Sequence, residues 1–202
     1  MENKKVDEIL EILENITYTE VLLCLISGKN YSTSIAKVLG KKQPTVTEQL
    51  NKLYELGLIF LKERKKAKIF EVNWDLLIRI FYDIINETLE LRGEYISKED
   101  LNKIKNCDLK KVIPPKLIKD FLREYYFTLN ELGGKKKGFD EIIFSFFAAI
   151  NNLEEEHWNR LIKLFKINGE ILKVISNLME FEIAGIEKVA IETYLDLGDK
   201  NE

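Results

Sequence analysis

Side chains that could do specific chemistry cluster on one predicted helix, within KKQPTVTEQLNKLYELG at 41–57. Pro44 suits the first helical turn and Gly57 the position just past the last, so the sequence predicts a helix over 44–56. Apolar residues recur on it at helical spacing and would face a core: Val46, Leu50, Leu53 and Leu56. The opposite face would carry polar or charged groups: Thr45, Glu48, Gln49 and Lys52. Such groups can meet base edges and phosphates in a DNA major groove, which is about 12 Å wide.

The run after this helix, LIFLKERKKAKIFEV at 58–72, changes to a two-residue period, which predicts a two-stranded hairpin. Its tip, ERKKAK, lacks the Asn-Gly or Asp-Gly of a two-residue turn, so we expect a longer and more mobile loop. That loop would carry four cations: Arg64, Lys65, Lys66 and Lys68. They could contact a phosphate backbone, or they could only protect the edge of the hairpin from aggregation.

Three shorter helices are expected ahead of the polar helix and would position it. Apolar spacing in KKVDEILEILEN at 4–15 predicts the first. Thr17 and Glu20 fit a capping box, which predicts a second, buried helix that ends at Gly28. Ser32 can cap the third, STSIAKVL, before Gly40. The resulting order is helix, tight turn, helix.

Positive charge is concentrated in this region. Residues 29–72 hold ten Lys or Arg and four Glu, a balance of +6, whereas the rest of the chain holds 21 basic and 30 acidic residues, a balance of −9. A basic module on an acidic body favours a local contact with a polyanion. Abundant Lys, Glu and Ile with scarce glutamine favour a thermophilic source.

Residues 17–72 resemble the winged helix-turn-helix domain of ArsR/MarR-like transcriptional regulators, through STSIAKVLGKKQPTVTEQLNKLYELGLI and the basic hairpin. The resemblance implies a recognition helix at 44–56 in the major groove and a basic wing at 62–68 on the backbone or in a minor groove. It implies groove contacts by Gln43, Thr45, Thr47, Gln49 and Lys52, and backbone contacts by Arg64, Lys65 and Lys66. It also implies a homodimer, formed through helices that flank the DNA-binding domain, and we expect an archaeal source.

Glu48 departs from this pattern, because many relatives carry a basic residue at this place and a carboxylate repels phosphate. Two interpretations stay open. Glu48 could accept a hydrogen bond from the amino group of a cytosine, or it could pair with Lys52 one turn further along the helix.

The rest of the chain reads as helical. Residues 74–92 form a predicted helix with a wide apolar stripe, and Gly93 marks a boundary between a domain at 1–92 and an all-helical domain at 94–202. Ser97 and Asp100 fit a second capping box. Further helices are predicted over 115–132, from 139 through the acidic turn to about 166, and over 170–196.

Other chemistries find little support in the sequence. His157, the only histidine, lacks a second ligand at helical spacing and is expected on a solvated surface. Cys24 and Cys107 have no ligand spacing around them and are expected to be buried thiols. GGKKKG at 133–138 lacks the spacing of a phosphate-binding loop and would be a linker or an auxiliary phosphate contact. We therefore expect no enzyme, no metal and no cofactor.

An aromatic stripe in the second half could line a pocket for a hydrophobic effector, although core packing also explains it. It consists of Tyr125, Tyr126, Phe127, Phe144, Phe146 and Phe147.

The sequence thus predicts a mainly α protein: an N-terminal winged helix-turn-helix with a two-stranded β-hairpin wing, then an all-helical C-terminal domain for dimerisation or signal input. The expected partners are double-stranded DNA, a second copy of the chain, and an unidentified effector or protein at the C-terminal domain. The alternative is a winged helix that serves as a protein-protein interaction module. No run of apolar residues is long enough for a membrane span, and the N-terminus mixes acids and bases, so a cytoplasmic location is expected.

Overall fold

The computed structural model describes the backbone of residues 2–64, 67–179 and 186–198, and the side chains of 7–63, 67–179 and 187–197. The chain forms two compact units, one of Met1–Arg79 with Lys135–Glu141 and the other of Ile80–Gly134 with Ile142–Glu202. The fold is mainly helical, as expected, with a single described hairpin that follows the helix-turn-helix region. The predicted domain boundary at Gly93 stays a prediction.

The first unit opens with three helices, α1 (Glu2–Glu14), α2 (Ile16–Ile26) and α3 (Ser32–Leu39). The prediction that Thr17 caps α2 was wrong, because the Asn15 side chain accepts the Thr17 N–H at 3.0 Å and the cap lies two residues earlier. Ser32 is likewise the first residue of α3, and Tyr31 takes the cap position. Buried residues of α2, including Val21, Leu22 and Cys24, form the scaffold on which α1 and α4 pack.

The polar helix predicted over 44–56 is α4 (Gln43–Glu55), with Pro44 in its first turn. It packs on α2 and α3, and its apolar stripe is fully buried, with Val46, Leu50 and Leu53 each at 0% exposure. Gly57 follows at φ 81, a left-handed conformation that favours glycine and turns the chain from the helix into the hairpin.

The hairpin consists of β1 (Ile59–Arg64) and β2 (Ala67–Val72), paired antiparallel with Ile59 opposite Val72 and Arg64 opposite Ala67. The expected longer loop was wrong: the strands extend further than predicted and leave two residues, 65–66, between them. Asn73 holds the far end in place, since its N–H donates to Leu58 O at 2.9 Å and its side-chain amide to Gly57 O at 2.8 Å.

A segment that is distant in sequence, Lys135–Glu141, belongs to the first unit. Gly138 is buried so close to α1 that a Cβ there would lie 2.6 Å from Glu14 O. A side chain at position 138 would therefore displace backbone, which makes glycine a packing requirement at this point. Residues 135–138 of the loop expected as a linker or an auxiliary phosphate contact therefore belong to the first unit, with Gly138 packed on α1.

The second unit is built from helices, most of them predicted. They are α6 (Lys98–Lys105), α7 (Leu109–Val112), α8 (Pro115–Leu132), α10 (Glu155–Phe165), α11 (Gly169–Met179) and α12 (Ile186–Gly198). Two further helices cross the division between the units, α5 (Trp74–Arg92), which the 3-10 turn Gly93–Tyr95 follows, and α9 (Phe139–Asn151). Ser97 caps α6 as predicted, since its hydroxyl oxygen accepts the Asp100 N–H at 3.0 Å.

Two predicted helices differ from the observed ones. The helix expected from 139 to about 166 is broken, because α9 ends at Asn151 and α10 begins at Glu155. The helix expected over 170–196 corresponds to α11 and α12, and residues 180–185 between them lie outside the described chain.

The core of the second unit is aromatic. Phe121 and Phe146 pack with their ring centroids 4.7 Å apart, and Phe81 meets Phe146 at 5.8 Å. Tyr125, Phe146 and Phe147 are at most 1% exposed. These members of the proposed effector pocket are therefore core residues, whereas Phe127 is 48% exposed. No helix in the described part of the chain has the length and apolarity to cross a membrane.

Candidate nucleic-acid interface

The first turns of α4 present an open, polar surface. Gln43, Pro44, Thr47, Glu48 and Asn51 line a shallow depression on the side away from the buried stripe. Gln43, Thr45, Glu48 and Asn51 are exposed. The Thr47 hydroxyl donates to Gln43 O at 2.9 Å, which leaves its oxygen lone pairs as acceptors. This surface can exchange hydrogen bonds with a groove edge.

Gln49 does not belong to that surface, and the prediction that it faces outward was wrong. Its exposure is 9%, and its Oε1 has no hydrogen-bond partner among the described residues. Gln49 lies three residues after Val46 and four before Leu53, which is the spacing of the buried stripe itself. The polar side chain of Gln49 suggested an exposed position, but its position on the helix places it inward.

Lys52 forms an ion pair within the protein. Its Nζ donates to Glu8 Oε1 of α1 at 2.5 Å, and this hydrogen bond raises the pKa of Lys52 above its ordinary value. The pairing of Lys52 with Glu48, one of two interpretations of Glu48, is not found among the described residues. Glu48 is exposed and has no described partner.

The hairpin supplies cations at its tip. Lys68 is exposed and directly opposite Glu63, but forms no ion pair among the described residues. Arg64 ends β1, though its side chain lies outside the described part, as do Lys65 and Lys66 altogether. Lys62, further from the tip, is engaged with Glu71 at 2.5 Å. The predicted contacts of the wing cations stay predictions.

One residue of this surface and two lysines of neighbouring segments were missed in the sequence. Asn51 lies three residues after Glu48 and so shares its side of the helix, a signal that the spacing already contained. Lys42 precedes the first turn of α4, and Lys37 lies in the last turn of α3. Both lysines are exposed and form no described ion pair, so they are candidates for phosphate contacts.

In the same unit, Glu20 of α2 binds two lysines. Lys41, which leads into α4, donates to Glu20 Oε2 at 2.8 Å, and Lys136 of the Lys135–Glu141 segment pairs with Glu20 Oε1. The Glu20 side chain is only 11% exposed. Burial raises the pKa of Glu20, but the hydrogen bonds from Lys136 and Lys41 outweigh it and lower the pKa below its ordinary value of 4.5. Lys136 therefore acts as an internal tether.

The remaining candidates lie in the second unit. His157 is 19% exposed, with Nε2 at 3.2 Å from Asp196 and Nδ1 at 3.8 Å from Glu192, so it lies half-buried at a helix surface and is less solvated than expected. The described residues contain no group of three or more His, Cys, Asp or Glu that could hold a metal. Cys24 is buried as expected, whereas Cys107 is half-buried, and burial raises the pKa of its thiol.

Comparison with known families gives one result that fits this geometry. Residues 19–59 match the model of the family described as bacterial regulatory protein, arsR family, which covers α2, α3, α4 and the start of β1. Together with the hairpin that follows, this segment has the element order of a winged helix-turn-helix of the ArsR type. The match supports a DNA-binding transcriptional regulator and points away from an enzyme.

Neither the curated proteins nor the solved structures contain a match to this chain. The expected archaeal source stays a prediction, and no finding supports the alternative of a protein-protein interaction module.

The Glu20 cluster predicts a specific dependence of stability on pH. A lowered folded-state pKa contributes stability that is fully present above 4.5 and is lost as the pH falls through the folded pKa. Glu20→Gln should therefore destabilise the protein at pH 7 by about 1 to 3 kcal/mol. The difference from the wild type should shrink only as the pH falls below 4.5. Urea unfolding of both proteins at about pH 7 and about pH 3 measures this difference in the free energy of unfolding.

Glu14→Gln is the matched control, since Glu14 is an exposed carboxylate that precedes α2 and should change little at either pH. An equal gap between wild type and Glu20→Gln at both values of pH would contradict the role given to the ion cluster.

Proposed function

We propose that this chain regulates transcription as a homodimer that binds a specific double-stranded DNA sequence. Recognition helix 44–56, observed as α4, enters the major groove, and the basic wing at 62–68 meets the backbone or a minor groove. The observation that carries the proposal is the exposed hydrogen-bonding face of α4 inside a segment that matches an ArsR-type helix-turn-helix. A cytoplasmic location is part of the proposal.

The proposed contacts fall into two groups according to chemistry. Gln43, Thr45, Thr47, Glu48 and Asn51 are uncharged or acidic and are proposed to meet base edges. Lys42, Lys37, Lys68 and the tip cations Arg64, Lys65 and Lys66 are proposed to meet phosphates. Gln49 is left out because it is buried, and Lys52 could reach DNA only after release from Glu8.

Support for the homodimer comes from α5 and the turn after it. Leu91 and Tyr95 are 71% and 78% exposed, more than the other large apolar side chains of the described residues. Burial in a contact between two copies would remove this apolar surface from water. Two recognition helices about 34 Å apart would then reach successive major grooves.

The homodimer has a direct test in the molar mass of the protein in solution. Light scattering should give twice the chain mass of 23.7 kDa. Replacing both Leu91 and Tyr95 with serine should shift the protein towards the monomer, because the apolar contact is lost. A wild-type protein that stays at 23.7 kDa across micromolar concentrations would refute the dimer.

DNA binding through the wing has a quantitative signature. Each phosphate contact that is lost reduces the magnitude of the negative slope of log affinity against log salt by about 0.9. Replacing Arg64, Lys65 and Lys66 with alanine should therefore reduce that magnitude by about 2.7. Fluorescence anisotropy with a labelled random duplex at several salt concentrations gives the slope.

Replacing Lys105, Lys110 and Lys111 with alanine removes the same charge from exposed positions in the second unit and should leave the slope unchanged. An unchanged slope in the wing variant would remove the wing from the interface, and a wild-type protein without salt-dependent binding would refute the proposed function.

A further inference from the structure

Glu48 is an unneutralised carboxylate at the centre of the surface proposed to face DNA. It is exposed, and neither a hydrogen bond nor an ion pair to it occurs within the described residues. Lys52, the cation one turn away, is bound to Glu8 instead. A free negative charge that faces phosphates weakens binding by repulsion, so its place on a reading surface calls for a specific favourable contact.

The surroundings of Glu48 have the chemistry of base recognition. The depression around it is lined by Gln43, Pro44, Thr47 and Asn51, none of which carries a positive charge. The Asn51 amide is exposed and has no partner in the described structure. Hydroxyl and amide groups beside a carboxylate can both donate and accept, as base edges require, but they neutralise no phosphate.

The hydrogen-bonding groups of the four bases limit which base the Glu48 carboxylate can bind. An ionised carboxylate only accepts, and in the major groove guanine and the oxygen of thymine also only accept. Adenine offers an amino donor, but its N7 acceptor lies beside it and would repel a second carboxylate oxygen. Cytosine presents its amino donor without an acceptor of its own beside it, so cytosine is the base that suits Glu48.

Asn51 suits a different base. Its amide can donate to N7 and accept from N6 of adenine at the same time. Residues 48 and 51 are separated by about 4.5 Å along the helix, at 1.5 Å per residue, compared with about 3.4 Å per base step. The two bases would therefore lie within about two base pairs of each other.

We propose that Glu48 selects a cytosine and Asn51 an adenine within about two base pairs of it in each half-site of the target DNA. This inference rests on the proposed function, since it requires α4 to enter the major groove. In this proposal Glu48, the acidic residue that departs from the family pattern, determines sequence specificity.

Selection of binding sites from a randomised duplex pool tests the proposal with the full chain. Wild-type protein should enrich sites with a cytosine and a nearby adenine. Glu48→Gln should lose the preference for cytosine by about 5- to 150-fold and shift it towards adenine, which glutamine reads, while the Asn51 position is kept. Asn51→Ala should lose the adenine preference and keep the cytosine.

Glu55→Gln is the matched control. Glu55 is an exposed carboxylate about two turns further along α4, so the variant removes the same charge from the same helix without touching the depression. It should keep both preferences. Because Glu48 and Asn51 are exposed and without described partners, all variants should unfold at the wild-type urea midpoint, which verifies that they fold.

The possible results separate the two proposals. Salt-dependent binding to random duplex without enrichment of cytosine, or a cytosine preference that survives Glu48→Gln, would overturn the role of Glu48 and leave the proposed function standing. A wild-type protein that enriches no site and binds no duplex would overturn both.

Discussion

The burial of one apolar stripe on α4 decides which residues this protein can present to a partner. Val46, Leu50 and Leu53 are completely buried against the scaffold helices, and this packing fixes the rotation of the helix about its axis. Once the rotation is fixed, Glu48 and Asn51 must face out and Gln49 must face in. The burial of these three side chains therefore contributes to stability and also determines which side chains are exposed.

Ion pairing sorts the basic residues into two groups with different roles. Lys41, Lys52, Lys62 and Lys136 are each held by a glutamate of the same unit. Lys37, Lys42 and Lys68 are exposed without a described partner. The positive balance of the 29–72 region is thus partly neutralised internally. This division suits a protein in which uncharged groups of α4 read bases and exposed lysines hold phosphates.

Much of this arrangement could be predicted from local sequence signals. The bounds of α5 and α8 follow from apolar periodicity and from Pro115, and α4 differs by one residue from its prediction. The cap at Ser97 was predicted correctly, whereas the capping-box pattern at Thr17 and Glu20 was misleading, because Asn15, two residues earlier, is also a favoured cap residue and caps the helix. For Gln49, the polar side-chain type predicts exposure and the spacing predicts burial, and the spacing is right.

Contacts between distant parts of the chain could not be predicted in this way. Nothing in GGKKKG indicates that Gly138 packs on Glu14 or that Lys136 binds Glu20, since both partners lie more than a hundred residues earlier. The pairing of Lys52 with Glu8 is equally non-local, so periodicity within α4 could place Lys52 on the outer face but could not show that it forms an ion pair. The break between α9 and α10 was also missed, because the acidic turn alone continues the helical pattern.

The central claim is that the polar face of α4 and the hairpin tip are the surface that meets DNA. Nuclear magnetic resonance of the isotope-labelled chain, titrated with a short duplex that contains a selected site, tests this residue by residue. The account predicts that the amide signals of Gln43, Thr47, Glu48, Asn51 and Lys68 shift most, while signals of the aromatic core around Phe121 and Phe146 stay in place. Shifts confined to the second unit, or no shifts at saturating duplex, would contradict it.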